Sequence, residues 1–430
     1  MNALNQISSN GTITVPYFKE LIATHSSFED VRAYSEQQHL KVIDGANRYP
    51  SPTALERLEL ASEYRQRYAI VRYDKVYQST QTLANGFFRS VVWDTVTNRP
   101  VCVAPPKACE QALVACEQVL VASEQASVAS EQASEQAQTP YRCEEFLEGV
   151  MVNAFLDASG NVQLATRSKM GATGIFYSRR SFQDLLVDAL QQKGINTIQG
   201  IKQILGTHTF ASFLLQHPEH RIVSKITVPS LYLIHRGSVS EDGTVTLQEI
   251  NEGPFAIPTV TVPENVTPEA LVIQLAEQRG WQWQGLVFKD GQGSRWRFRS
   301  KAYTMVRTLR GESPRQDVQF LHLRSKGMME TYLYYYPEEK DAMWDLEGNL
   351  RSLTHTLYQQ YVTCHIKHQI KFADLPAFWK PHVFTLHSLF LGTLKQKGHF
   401  IRKQEVIQYM NHLPIPRVLH LFKSMATTTV

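Results

Sequence analysis

Three arginines, Arg295, Arg297 and Arg299, alternate with Trp296 and Phe298 in one short run. On a strand this alternation puts three guanidinium groups on one face and two rings on the other. A guanidinium stays charged at any physiological pH, and its fork of N–H donors matches the oxygens of a phosphate. From Trp281 to Gly311 seven basic residues stand against one acid, Asp290. Such an excess favours an anion-binding surface, although the same spacing also suits a solvated face over a packed one. Arg89 and Lys107 are candidates for the same chemistry, or ordinary charges at strand ends.

Other chemistry-bearing patterns are thinner. His217-Pro218-Glu219-His220 and His365-x-x-His368 have metal-like spacing, yet neither has further ligands nearby in sequence. A stable site needs three or four donors, so no metal site is assigned. No G-x-x-x-x-G-K-[ST] is present, and Gly291-Gln292-Gly293 lacks the third glycine of a dinucleotide loop and reads as a hairpin turn. Five cysteines, none in a C-x-x-C pair, read as free thiols of a reducing compartment.

The elements that must position these residues are those of an ordinary globular chain. It has 430 residues, 43% hydrophobic and 20% charged, which excludes a mostly disordered, collagen-like or membrane-embedded protein. Two or three domains are expected at this length. The net charge of +4 hides an asymmetry: from Arg351 to Val430 ten Lys/Arg face only Asp374 and Glu405, leaving −4 on the preceding residues. A basic end on a slightly acidic body suggests a polyanion-binding module, with a solvated helical surface as the alternative. The opening MNALNQISSNGTITV lacks a basic n-region and an apolar core, and no apolar run reaches spanning length. The expected location is therefore intracellular and cytoplasmic, with no membrane partner.

Strand-like runs appear at Phe87 to Asp94, Pro100 to Ala104, Glu145 to Leu156 and Val162 to Arg167, the last two forming a hairpin around Asp157-Ala158-Ser159-Gly160. Further strands are predicted at Phe210 to Leu215, Ser230 to Ile234 and Thr244 to Ile250, and a second hairpin pairs Trp283 to Lys289 with Ser294 to Arg299. Helical spacing marks Pro52 to Tyr68, Ser181 to Lys193 (with Ser181 as N-cap) and Thr267 to Arg279. After about Glu338 helical periodicity takes over, with Trp344, Leu346, Leu350, Leu353 and Leu357 as a core stripe. Tyr332, Tyr334, Tyr335 and Tyr336 suit packing or base stacking. Between Lys107 and Tyr141 lies an internal repeat (ACEQALV, ACEQVLV, ASEQASV, ASEQ, ASEQ), read as an expansion tolerated in a loop in preference to a short coiled coil.

Taken in order, FFRSVVWD, VCVAPPKA, EEFLEGVMVNAFLDASGNVQLATRSKMG, FASFLLQHPEHRIV, PSLYLIHRG and WQGLVFKDGQGSRWRFRSKAY resemble the bacteriophage-type RNA ligases of the covalent nucleotidyltransferase superfamily. Degenerate relatives in large DNA viruses look closest. The likeness covers roughly Arg89 to Arg310. It implies an α+β fold: a nucleotidyltransferase body of ATP-grasp-like antiparallel sheets with flanking helices, plus an all-helical C-terminal domain. The expected division is a mixed N-terminal segment at 1–75, the ligase-like domain at 76–335 with an insertion at 108–138, and a basic helical domain at 336–430.

The resemblance also implies a mechanism. In that family the lysine of Lys-x-Asp-Gly attacks the α-phosphate of ATP, while later carboxylates and a Lys-x-Lys pair hold ribose, Mg²⁺ and phosphates. ATP and Mg²⁺ are implied by the likeness alone. The corresponding positions here are altered. Phe146-Leu147-Glu148-Gly149 puts a phenyl ring at the nucleophile position, and Leu214 or Gln216 stands where a glutamate is expected. Gln284-Gly285 replaces Glu-Gly, and Arg297-Phe298-Arg299 replaces Lys-x-Lys. A phenyl ring has no lone pair to attack phosphorus, and Gln284 has no charge to hold Mg²⁺. Both arginines still bind phosphate. Should the first hairpin continue in register, Lys169 would lie across from Glu148 and could act as a relocated nucleophile, or contact phosphate. Arg89, Lys107, Glu148, Gly149, Lys169, Gln284, Arg297 and Arg299 are thus the expected nucleotide- or phosphate-binding residues, with no confident catalytic residue. The expectation is a ligase-like protein that no longer adenylylates itself and binds RNA, nucleotide or another polyanion. An active ligase with a relocated nucleophile and a virion-associated scaffold are the alternatives.

Overall fold

The computed structural model describes residues 6–7, 12–45, 67–74, 86–106, 108–110, 142–249, 251–264, 266–289 and 295–428. The predicted helix at Pro52 to Tyr68 falls mainly, and the internal repeat almost entirely, outside them. The chain separates into two compact units, Met1–Thr304 and Met305–Val430.

The first unit is built from β1 (Gln6–Ile7), β2 (Thr12–Val15), β3 (Leu40–Asp44), β4 (Tyr68–Tyr73), β5 (Val91–Asp94) and β6 (Arg99–Val103). Next come β7 (Cys109–Glu110), β8 (Arg142–Glu145), β9 (Val150–Leu156), β10 (Val162–Thr166) and β11 (Phe210–Gln216). The last are β12 (Ser230–Val239), β13 (Val245–Gln248), β14 (Gly285–Lys289) and β15 (Arg295–Arg299). They form a seven-stranded sheet ordered β1-β2-β13-β12-β11-β9-β10 and two four-stranded sheets, β3-β4-β5-β6 and β7-β15-β14-β8. The large sheet is apolar on both faces because both are covered. Phe155, Phe210 and Leu247 pack with Phe88, Val91 and Trp93 of the β3–β6 layer. Ala154, Phe213 and Leu233 pack with Leu185, Leu186 and Ala189 of the helix Phe182–Gln191. That helix starts where the sequence placed it: the Ser181 hydroxyl accepts the Asp184 N–H and the Asp184 carboxylate accepts the Ser181 N–H in return.

Three differences from the sequence reading have physical causes. The run Glu145 to Leu156 is not one strand; β8 belongs to a small sheet and β9 to the large one, with Phe146–Gly149 as the crossing. A side chain at Gly149 would place its Cβ 2.5 Å from the Leu215 carbonyl oxygen, so this crossing needs glycine. The N-terminal residues are not a separate segment, since the β-branched TITV and YAIVRY runs enter two sheets of the body. Finally, the last strand ends at Arg299 and helices begin at Lys301, so the expected boundary at residue 336 falls inside the second unit. The aromatic run TYLYYY, strand-like in composition, is the helix Met329–Tyr335 and its cap.

Among its described residues the second unit contains helices joined by turns and no strand. In the helix Lys340–Tyr361 the buried stripe is Met343, Leu350, Leu353, Thr354, Leu357 and Tyr361. Trp344, expected in that stripe, is 55% exposed because the face runs through its neighbour Met343. Tyr332 and Tyr336 are buried and stacked at 4.7 Å, so these two tyrosines are packing residues, whereas Tyr334 is exposed.

Candidate functional site

The crossing Phe146–Gly149, the start of β14 and the end of β15 are knitted together by backbone bonds. Phe146 N–H donates to the Gly285 carbonyl at 2.9 Å, and Ser300 N–H donates to the Gln284 carbonyl at 2.9 Å. The β14–β15 register sets Gly285 opposite Arg299 and Val287 opposite Arg297. A Cβ at Gly285 would lie 2.0 Å from the Phe298 carbonyl oxygen, and its φ of +138° suits glycine.

Glu148 is only 5% exposed, and its carboxylate is completely engaged. It accepts backbone N–H groups from Ile222 at 3.2 Å, Val223 at 2.9 Å and Ser224 at 3.1 Å. The Tyr303 hydroxyl donates a further bond at 2.7 Å. Burial pushes the Glu148 carboxyl above its ordinary range, while these four donors pull it back. The main chain on the other side is held too, since Gln216 Nε2 donates to the Glu148 carbonyl at 2.7 Å.

Phe146 meets the basic strand. The Arg299 guanidinium lies 5.2 Å from its ring centroid and that of Arg297 lies 5.9 Å away. Trp296 and Phe298 turn the other way, onto a core that includes Cys143, Leu271, Leu286 and Phe288. The arginine face is half-buried, not a plain solvated surface. A ring attracts a cation through its quadrupole.

The remaining acids are committed elsewhere. Lys289, 3% exposed, sits opposite Arg295 across the hairpin. Two cations facing each other demand anions, and Lys289 Nζ has Glu144 at 2.8 Å and Glu249 at 3.1 Å. Burial, then the Arg295 charge, lower the Lys289 pKa. An amine enclosed by two carboxylates still offers no exposed lone pair. Gln284 is buried, and its Oε1 has no hydrogen-bond partner. Among the described residues no three His, Cys, Asp or Glu side chains converge as metal ligands. With Glu148, Glu144 and Glu249 all paired and an amide at position 284, this donor set does not fit the Mg²⁺ that the sequence likeness implies.

Solved structures that the chain loosely resembles include nucleic-acid ligases. An archaeal ATP-dependent RNA ligase is 10% identical, with a TM-score of 0.38, covering 77% of this chain and 78% of that one. A second form of an archaeal ATP-dependent RNA ligase is 11% identical at a TM-score of 0.36, covering 67% and 74%. A putative ATP-dependent DNA ligase from Aquifex aeolicus is 12% identical at a TM-score of 0.35, covering 85% and 81%. No protein-family model and no curated protein sequence matches. Likenesses this loose carry no argument about activity; the side chains must carry it.

Of the residues singled out in the sequence, Phe146, Glu148, Gly149, Gln216, Gln284, Gly285, Arg297 and Arg299 thus come together. Leu214, the other third-motif position, packs against Gly149. Arg89 belongs to a neighbouring cationic group. Burial, and after it the charge of Arg295, lower its pKa to about 10, with Arg167 and Arg297 contributing. Its Nη1 donates to the Pro105 carbonyl at 3.4 Å. Lys107 lies outside the described residues. Lys169 is not opposite Glu148: the β9–β10 pairing ends at Thr166↔Val152, and the chain then doubles back. Thr166 N–H donates to the Lys169 carbonyl at 2.8 Å and Met170 bridges Ala165, so the register needed for a relocated nucleophile is broken by a turn.

Sequence reasoning missed the donors to Glu148 (the 222–224 backbone and Tyr303) and the partners of Lys289. It also missed Arg72, whose pKa is lowered by burial and then by Arg167; both donate to the Tyr73 carbonyl, at 3.4 and 3.1 Å. The facing cations Lys289 and Arg295 were the one available signal. The histidine pairs have other partners. His217 Nε2 lies 3.2 Å from Asp188, which also binds Arg180. His365 stacks on His387 at 3.8 Å.

Proposed function

We propose that this protein is an RNA-ligase-like nucleotidyltransferase that no longer forms a lysyl-AMP and instead binds the phosphates of RNA through Arg297, Arg299 and the Arg89 group. The observation that carries this reading is the Phe146 ring at the nucleophile position, with the Arg299 and Arg297 guanidinium groups 5.2 and 5.9 Å from its centroid. The ring supplies no nucleophile. A guanidinium beside a ring is drawn to its quadrupole, and its N–H groups are donors that match phosphate oxygens. The unpartnered Gln284 Oε1 is an acceptor for a hydroxyl or amino group of the ligand.

The test is binding of a labelled single-stranded RNA across a salt series, in the parent chain and in Arg297→Gln/Arg299→Gln. Affinity should fall steeply with salt, and loss of two phosphate contacts should flatten the log–log slope by about 1.4. Binding insensitive to salt, or unchanged in the double variant, contradicts the reading and points to a scaffold role. The ligase alternative is tested separately by intact mass after incubation with ATP.

A further inference from the structure

Among the described residues fifteen large apolar side chains are exposed, and seven of them lie within residues 366–400. These include Ile366 (51%), Phe384 (63%), Leu391 (49%) and Phe400 (62%), with Ile370 and Phe372 beside them. Apolar side chains scattered singly over a surface need no explanation; a cluster does. The same residues carry five lysines and one acid, Asp374. Among the described residues no acid pairs with Lys367, Lys371, Lys395 or Lys397, and all four are exposed.

Contacts join this region into one patch within the second unit. Phe384, His387 and Leu391 follow i, i+3, i+7 spacing along the helix Lys380–Leu389 and its continuation. The His387 ring stacks on His365 at 3.8 Å, and His365 lies 6.4 Å from Phe372. Phe390 stacks on Phe400 at 6.3 Å. Lys380 Nζ ties the helix to the Ala373 carbonyl at 2.6 Å, closing the loop that carries Phe372 against it.

The composition selects among possible occupants. Surfaces that stack unpaired bases rely on aromatic rings and arginine, whereas Ile366, Ile370 and Leu391 offer no π face. Cores of protein interfaces are depleted in lysine and enriched in arginine; between residues 366 and 400 every Lys/Arg is lysine. Aliphatic and phenyl side chains ringed by long flexible lysines suit the headgroup–acyl boundary of a bilayer, where the lysine stems stay in the apolar layer and the ammonium groups reach anionic headgroups.

We propose that the 366–400 patch docks on an anionic lipid surface, with Phe384, Leu391 and Phe400 entering the interface and Lys367, Lys371, Lys395 and Lys397 meeting the headgroups. The sequence expectation of no membrane partner rested on the lack of a spanning run, and among the described residues no helix is long and apolar enough to cross a membrane. Surface docking needs no such helix.

The experiment is co-sedimentation of the full chain with phosphatidylcholine vesicles, with and without phosphatidylserine. Sedimentation should require phosphatidylserine and be abolished in Phe384→Gln/Leu391→Gln. Lys395→Gln/Lys397→Gln should weaken it roughly tenfold or more. Trp344→Gln, an exposed aromatic outside residues 366–400, should leave it unchanged. Because all these side chains are exposed, circular dichroism of each variant should match the parent. Failure of the folded parent to sediment with phosphatidylserine vesicles overturns the proposal, as does full binding by both double variants. Single-stranded RNA binding that depends on Phe384 and Leu391, without vesicle binding, would also overturn it and assign the patch to nucleic acid.

Discussion

The two walls around Phe146 treat charge in opposite ways. On the acidic side Glu144 and Glu148 are 2% and 5% exposed: Glu144 is ion-paired with Lys289 and Arg142, although among the described residues its Oε1 accepts no hydrogen bond, and Glu148 accepts three backbone N–H groups and the Tyr303 hydroxyl. On the basic side Arg297 and Arg299 are half-buried against a neutral ring, and Arg295 has Nε and Nη1 buried without a partner. One wall holds the crossing between two sheets in place. The other sets three arginines along one face of β15, two of them beside the Phe146 ring. A carboxylate needed for structure cannot also hold a metal, whereas a guanidinium resting on a ring can still take a phosphate. On the proposed reading, the departures from the ligase motifs are of two kinds, one that would remove chemistry and one that would keep binding.

The comparison predicts that the acidic wall governs stability and the basic wall governs binding. Glu148→Ala should have the largest effect, destabilising the first unit by at least about 3 kcal/mol in urea unfolding, because four donors lose their acceptor inside the fold. A loss under about 1 kcal/mol would break the assignment of Glu148 to structure. Acid comes next. His235 is buried near the arginine side, and burial lowers its pKa from 6.5 to about 3. Its neutral form is the folded form, so its contribution is complete above pH 6.5 and declines as pH falls toward 3, by up to about 1.4 kcal/mol per unit. Stability measured between pH 7 and 4 should show this slope, and His235→Gln should flatten it. Gly285→Ala should cost about 1–3 kcal/mol through its positive φ and the Phe298 carbonyl. Tyr303→Phe should cost roughly 1–2 kcal/mol, one charge-assisted hydrogen bond. Arg297→Gln/Arg299→Gln should change stability least, by under about 0.5 kcal/mol, while weakening RNA binding at least roughly tenfold.

The sequence made much of the basic wall legible, because alternation on a strand fixes which side chains share a face, and Arg295, Arg297 and Arg299 do. It also located the hairpin β14–β15, the helix behind Ser181 and most strands of the large sheet, where apolar runs and turn residues are local signals. What was not legible depends on long-range pairing. The run through Phe146–Gly149 looked like a continuous strand because nothing in its own residues tells that the Leu215 carbonyl approaches Gly149. Lys169 looked cross-strand to Glu148 because a hairpin register gives no sign of where it ends. Tyr303 and the 222–224 backbone reach Glu148 from far along the chain, and no local pattern announces them. The boundary near residue 304 was hidden by aromatic residues that favour strands by composition and form helices here.

The central claim is that the residue at position 146 has taken adenylyl transfer away from a site that still binds anions. It is tested most directly by the intact mass of the folded chain after incubation with ATP and Mg²⁺ or Mn²⁺, beside Lys169→Ala. The account predicts no added mass in either protein. A gain of one AMP in the parent would contradict it. Loss of that gain in Lys169→Ala would establish Lys169 as the nucleophile, and its persistence would place the nucleophile on another side chain.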